Sequence, residues 1–128
     1  MDLVWIVDDD PIARMLINKK LQRTGIAHHA EEFENGLEAI DHLRSTTKSE
    51  SVPDLIILDL NMPILDGWGF LDELEQEKRP IFQKIKVAIL TSSIDLHDRN
   101  KSENYDCIKS YLSKPMDSDQ LMRDLSKG

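Results

Sequence analysis

Five short apolar runs punctuate the chain, each followed by polar residues and, in most cases, by apolar positions at helical spacing. The first, Leu3 to Val7, is continuous rather than alternating, the pattern of a strand covered on both faces. Asp10-Pro11 then opens a helix, with a carboxylate at the N-cap and proline at the first helical position. Ile12, Met15, Leu16 and Leu21 supply its expected buried stripe, and Gly25 suits its C-terminal stop. Residues 26–33 read as a weaker strand, and His28, His29 and Glu31-Glu32 make it an edge candidate. Asn35-Gly36-Leu37-Glu38 has the form of a capping box ahead of Leu37, Ile40 and Leu43. After a polar loop from Ser45 to Pro53 comes Leu55 to Asp59, the clearest strand in the chain.

The second half repeats the alternation. Asn61 to Gly67 is a loop of turn formers, Phe70, Leu71 and Leu74 begin a helical stripe, and Arg79-Pro80 is the expected end of that helix. Val87 to Leu90 is a fourth buried strand, followed by Ser92-Ser93 and a polar helix from about Asp95 in which Leu96 is nearly alone as an apolar residue. A helix with so little to bury is expected to be loosely held. Ile108 to Leu112 is the fifth strand, and Asp117 caps a last helix carrying Leu121, Met122 and Leu125. Five strands alternating with five helices imply βαβ crossovers and a parallel sheet covered on both faces. No linker, composition shift or repeat divides the chain, so residues 1–128 are expected to form a single domain.

Charge narrows the function. A formal charge of −8 argues against nucleic acid, whose binding rests on neutralising phosphates with Lys and Arg. The basic residues near Lys78-Arg79, Lys84 and Lys86 are diluted by Glu73, Glu75 and Glu77. One cysteine, Cys107, excludes an internal disulfide and fits a reducing compartment. No apolar run approaches the roughly 20 residues of a membrane span. The N-terminus carries no basic region ahead of its first strand. A cytoplasmic protein acting on neither membranes nor nucleic acids is expected.

In a parallel α/β sheet the carboxyl ends of the strands line one crevice, and ligands bind there. That edge would collect Asp8-Asp9, Asp59, Thr91 and Lys114. Three carboxylates, a hydroxyl and an ammonium suit a phosphoryl group with a hard cation such as Mg²⁺. The Asp8-Asp9-Asp10 run could equally be a solvated charge run ending in a helix cap. Asp10, with proline behind it, reads as the cap; Asp59 and Lys114 favour a site for Asp8 and Asp9.

Val7-Asp8-Asp9-Asp10-Pro11, Leu58-Asp59-Leu60-Asn61-Met62-Pro63 with Asp66-Gly67, Leu90-Thr91-Ser92 and Lys114-Pro115 stand in an order and spacing that resemble the receiver domains of two-component response regulators, the chemotaxis-regulator-like, stand-alone kind included. The resemblance spans nearly the whole chain. It implies a flavodoxin-like (βα)5 doubly wound parallel sheet in strand order 2-1-3-4-5. It also implies that Asp59 is the phosphoacceptor, a carboxylate nucleophile. Asp9, Asp59 and the backbone carbonyl of Asn61 would bind Mg²⁺, with Asp8 acting through a metal-bound water. Thr91 would bond a phosphoryl oxygen, Lys114 would pair with the phosphoryl group, and Tyr111 matches the aromatic switch that follows Thr91. The chain departs from the family pattern before the fifth strand, where Asn104-Tyr105-Asp106-Cys107 stands in place of the usual glycine and alanine.

The expected function is therefore a stand-alone receiver, not an enzyme beyond its own phosphorylation and dephosphorylation. It would be phosphorylated by a sensor histidine kinase or histidine phosphotransfer protein and would signal through contact with a downstream protein. An alternative is a Mg²⁺-dependent aspartyl-phosphate hydrolase of the haloacid-dehalogenase type. That chemistry calls for a second acid two residues after the nucleophile, where this chain has Asn61, and for a cap insertion that is absent. His28 and His29 point to opposite faces of a strand and make no chelating pair. His42 and His97 read as polar helix residues, Trp5 as core or sheet-edge packing, Trp68 as partly exposed near the site, and Cys107 as a small buried hydrophobe.

Overall fold

The computed structural model describes residues 1–92 and 94–127. Ser93, placed after the fourth strand above, lies outside the described residues, as does Gly128. The strands are β1 (Leu3–Val7), β2 (His29–Phe33), β3 (Leu55–Leu58), β4 (Lys86–Thr91) and β5 (Ile108–Ser113). The helices are α1 (Pro11–Thr24), α2 (Gly36–Ser45), α3 (Gly67–Glu75), α4 (Leu96–Ser102) and α5 (Ser118–Ser126). The strands pair in parallel, as the alternating chain pattern implies, and in the order β2-β1-β3-β4-β5 that the resemblance to receiver domains implies.

Two cores lie back to back across the sheet because successive strand side chains point to opposite faces. Trp5, Val7, Ile56, Leu58, Val87 and Ile89 meet Ile40, Leu43, Phe70 and Leu71 from α2 and α3. Val4, Ile6, Leu55, Ile57, Ala88 and Leu90 meet Ile17 and Leu21 from α1 and Leu121 and Leu125 from α5. Trp5 is fully buried and lies 4.6 Å from the Phe33 ring, which makes it core.

The helix starts are as expected. Asp10 accepts from the Ile12 amide at 2.9 Å, with Pro11 at the first helical position, and Gly25 closes α1 at φ 74°. Asn35 accepts from the Glu38 amide at 2.9 Å, while the Glu38 carboxylate accepts from the Glu34 amide one residue beyond the expected box.

The stripes differ from expectation in several places. Ile12, Met15 and Leu16 are exposed, Leu16 at 59%, and α1 instead buries Ile17 and Leu21. At about 100° per residue, positions 13, 17, 20 and 21 share one arc and 12, 15 and 16 another; only one can meet the sheet. Leu37 in the first turn of α2, Met122 on α5 and Leu96 on α4 are likewise exposed. The third helix ends at Glu75, earlier than Arg79-Pro80, which instead leads into a 3-10 turn over Pro80–Phe82. Phe82 and Ile85 are buried there, so the basic stretch is anchored to the core. Arg79 stacks 4.4 Å over Phe82 and donates to the carbonyls of Thr46 and Arg44. The expected strand over 26–33 pairs only from His29, and a 3-10 turn over Ser49–Ser51 interrupts the expected loop. Cys107 is half-buried, and burial pushes its thiol up to about 11. His28, His29, His42 and His97 are exposed.

The departure at residues 104–107 has a structural counterpart. Tyr105 is buried, donates to Asp72 Oδ1 at 2.7 Å and stacks on Trp68 at 5.6 Å, with Lys101 Nζ 4.7 Å over the Trp68 ring. These contacts tie the C-terminal end of α4, a helix whose one buried residue is Ser102, to α3. Burial, then the bond to Asp72, push the Tyr105 hydroxyl from 10.0 up to about 12. The folded state therefore holds this proton more tightly than the unfolded chain. The resulting stability is complete below about pH 10 and is lost as pH climbs toward 12. Tyr105→Phe is expected to lower stability at neutral pH by about 1 kcal/mol and to lose less of the remainder across that alkaline window. Urea melts at neutral and alkaline pH check both.

Candidate phosphoryl and metal site

Parallel register brings the ends of β1, β3, β4 and β5 to one edge, and each contributes a residue. Asp8 follows β1 and is buried, its amide bonded to the Phe33 carbonyl at 3.1 Å. Its Oδ1 accepts from the Asp10 amide at 2.9 Å and its Oδ2 lies 2.7 Å from Lys114 Nζ. Asp59 follows β3 and is buried, with its amide bonded to the Val7 carbonyl at 2.9 Å. Its Oδ1 accepts weakly from the Asn61 amide at 3.4 Å and its Oδ2 lies 3.5 Å from the same Lys114 nitrogen. Asp9 is exposed. Carboxylate oxygens of Asp8, Asp9 and Asp59 lie within 4.8 Å of one another, the one such group among the described residues.

Thr91 ends β4, is buried, and its carbonyl accepts from the Lys114 amide at 2.7 Å, which sets the lysine at the mouth of the cleft. The Lys114-Pro115 peptide that follows is cis. Gly67 opens α3 against the site: its amide bonds the Leu60 carbonyl at 3.0 Å, and a Cβ there would lie 2.7 Å from the Asp59 carbonyl oxygen. Tyr111 on β5 is half-buried against the α2/α3 core, with Arg99 5.8 Å over its ring. Its hydroxyl is buried without a hydrogen-bond partner among the described residues.

The charges are unbalanced. Burial, then the Asp8 charge, hold the Asp59 carboxyl above its ordinary value despite the opposing pull of Lys114. Burial alone would lower Lys114, but its bond to Asp8 and the Asp59 and Asp8 charges outweigh that and raise it. One ammonium thus faces three carboxylates. An additional cation among these oxygens would relieve the repulsion, and the all-oxygen donor set suits Mg²⁺. The residues present therefore fit such an ion.

A family model described as the response regulator receiver domain matches residues 4–126. The chain belongs to that family. The receiver is 31% identical over 123 residues to the probable methanogenesis regulatory protein FilR2 of Methanothrix harundinacea, covering 94% of this chain and 77% of that protein. It is 34% identical over 120 residues to the DNA-binding transcriptional regulator NtrC of Escherichia coli, covering 94% of this chain. The match spans 23% of the length of NtrC, so the DNA binding in that protein's name belongs to the whole regulator. A two component response regulator from Cytophaga hutchinsonii superposes with a TM-score of 0.89 at 31% identity, covering 99% of this chain and 96% of that one. Membership carries the coarser functional statements: receivers accept a phosphoryl group, are served by histidine kinases, and typically bind Mg²⁺. Among the described residues, no helix is long and apolar enough to cross a membrane.

The site residues anticipated from the chain, Asp8, Asp9, Asp59, Thr91 and Lys114, gather at this edge, with Asn61 beside Asp59 and Tyr111 on β5, three residues before Lys114. One neighbour was not anticipated. Arg14, one turn into α1, donates from Nη1 to the Asp8 carbonyl at 2.5 Å. Its only sequence signal is a place four residues after the capping Asp10, where a helix starting at the sheet edge turns back over the strand end.

Proposed function

We propose that Asp59 accepts a phosphoryl group from a phosphohistidine and that the receiver, a single domain over residues 1–128, signals by protein contact. The observation that carries this reading is the Lys114 ammonium shared by Asp8 at 2.7 Å and Asp59 at 3.5 Å, beside an exposed Asp9. An Asp59 oxygen attacks phosphorus, the P–N bond to the imidazole breaks, and the imidazole nitrogen keeps the electron pair. Asp9, Asp59 and the Asn61 carbonyl would hold Mg²⁺, with Asp8 assisting. When bound, the ion neutralises phosphoryl oxygens, as phosphoryl transfer requires. Lys114 exchanges its Asp59 partner for a phosphoryl oxygen, and the Thr91 hydroxyl orders another. The protein is no further enzyme, and Asn61, in place of an acid two residues after Asp59, speaks against the hydrolase alternative.

The phosphodonor must approach along the exposed side of this edge. Ile12, Met15 and Leu16, exposed on the helix that starts beside Asp8 and Asp9, supply an apolar surface for it. Mixing the receiver with acetyl phosphate tests the reading: intact mass should rise by one phosphoryl group with Mg²⁺ and not with EDTA. Labelling without metal, or none with it, would reject the reading.

Two further results are expected. Asp10 is a helix cap, and asparagine caps nearly as well, so Asp10→Asn should leave Mg²⁺ affinity close to wild type whereas Asp9→Asn should lose most of it. Tryptophan fluorescence titrations check this, since Trp68 is half-buried beside the cleft. Thr91→Ala should still be labelled but should fail to move Tyr111 and α4. Amide spectra with fluoroberyllate would then change around Asp59 in the variant but not over residues 95–112, whereas wild type changes in both.

A further inference from the structure

We propose that Arg14, held by Glu32, is a positioning residue for the cation site, acting through the Asp8–Asp9 peptide. This rests on the reading that Asp8, Asp9 and Asp59 hold Mg²⁺. Asp9 is the one exposed member of that trio, and no hydrogen bond holds its side chain among the described residues. Its direction is therefore set by the backbone that precedes it. A peptide unit is planar, so fixing the Asp8 carbonyl oxygen also fixes the Asp9 nitrogen and Cα. Arg14 Nη1 makes that bond at 2.5 Å. The other side of Asp8 is already fixed by its amide bond to Phe33 and its carboxylate bonds to Asp10 and Lys114.

Arg14 is itself oriented. Its Nε donates to Glu32 Oε1 at 3.2 Å, and the other Glu32 oxygen accepts from Asn18 Nδ2 at 3.0 Å. Asn18 Oδ1 in turn accepts from Gln22 at 2.7 Å. The chain runs from the exposed side of α1, across the edge strand β2, to the peptide between two proposed ligands. A guanidinium suits this because its donors form a rigid planar fork that fixes the directions of the bonds to the carbonyl and the carboxylate together, whereas a lysine ammonium is a point charge on a flexible stem. Glu32 is exposed, so its ion pair with the half-buried Arg14 is screened by solvent, and the value of the pair lies in orientation more than in its own ion-pair energy.

Sign separates this role from simple electrostatics. Arg14 is a cation near a cation site, so by charge alone its removal should tighten Mg²⁺ binding. As a positioning residue its removal should weaken binding, by about tenfold on the scale of outer-shell partners of metal ligands. The experiment titrates Mg²⁺ against tryptophan fluorescence in wild type, Asp9→Asn, Arg14→Ala, Arg14→Lys and Asn18→Ala, with thermal melts of each. Arg14→Ala is expected to bind about tenfold more weakly, and Arg14→Lys also more weakly than wild type despite its unchanged charge. Asn18→Ala, which removes the Glu32 support without altering charge, should show a smaller loss in the same direction. Labelling of Asp59 at saturating Mg²⁺ should return to the wild-type rate in all three. Unchanged or tighter binding in a folded Arg14→Ala overturns the proposal, and so does a labelling deficit that saturating Mg²⁺ leaves in place. If Arg14→Ala fails to fold, unchanged affinity in both Arg14→Lys and Asn18→Ala overturns it equally. Absence of any Mg²⁺ response in wild type would instead remove the cation site itself, a failure that the Asp9→Asn comparison keeps distinct.

Discussion

Asp59→Asn is expected to abolish phosphoryl labelling and, in metal-free buffer at neutral pH, to raise the melting temperature. The first effect follows from chemistry, since an amide oxygen is not a carboxylate nucleophile. The second follows from the site's charge. Burial and the neighbouring Asp8 hold the Asp59 carboxyl above its ordinary 3.8. A group whose proton is held more tightly when folded favours the native state below its unfolded pKa and loses that contribution as pH rises through the folded value. At neutral pH the ionised Asp59 is thus a net cost, although Lys114 offsets part of it. Asparagine keeps the shape and removes the charge. The gain in melting temperature should vanish below about pH 4, where wild-type Asp59 is neutral as well. It should also shrink when Mg²⁺ is added, because wild type, with the additional carboxylate, is stabilised more by the ion. Scanning calorimetry across pH checks the second part and intact mass the first. A variant that labels fully would move the acceptor to another residue.

Gly67→Ala is expected to reduce labelling by about 10²-fold, a scale set by misplacing a reacting group by roughly 1 Å. A Cβ at Gly67 would sit 2.7 Å from the Asp59 carbonyl oxygen and 2.8 Å from the Leu60 Cα. Both are backbone atoms and cannot rotate aside, so either α3 retreats or the acceptor strand end shifts. Overpacking of this kind costs about 1–3 kcal/mol, which urea melts would show. Gly25→Ala is the control. Nothing lies within 4 Å of its added Cβ, but its φ of 74° is unfavourable for alanine. That variant should lose about 1 kcal/mol and label at the wild-type rate. Equal labelling rates in all three proteins would mean that the approach of α3 does not position Asp59.

Most of the candidate site was readable along the chain because its residues are tied to strand ends. A buried parallel strand is a short continuous apolar run, and the first polar residue after it must emerge at the same edge as its counterparts. Asp8, Asp59 and Thr91 could be gathered on that basis, and Lys114 by its place two residues after Leu112. The capping residues Asp10, Asn35, Asp95 and Asp117 were equally accessible or nearly so, because a cap is a local bond between neighbours.

Helix faces were harder. The α1 sequence offers two apolar arcs, Ile12/Met15/Leu16 and Ile17/Leu21, and local spacing cannot say which one the sheet receives. Tertiary packing chose Ile17 and Leu21 and left the other arc as an exposed apolar surface on the helix that starts beside Asp8 and Asp9. The end of α3 was misplaced for a related reason: Phe82 and Ile85 pull residues 76–85 back onto the core well before any helix-breaking signal is needed. Residues 104–107 gave no sign of their role until Tyr105 met Asp72 and Trp68, three residues from two different segments. The alternation of strands and helices, the caps and the shared strand-end edge depend on period and on neighbours, and both are written in the chain, whereas the strand order followed from the resemblance to receiver domains. The exposed arc of α1, the Tyr105 anchor and the bond from Arg14 to the Asp8 carbonyl depend on which surfaces meet, and only the folded structure decides that.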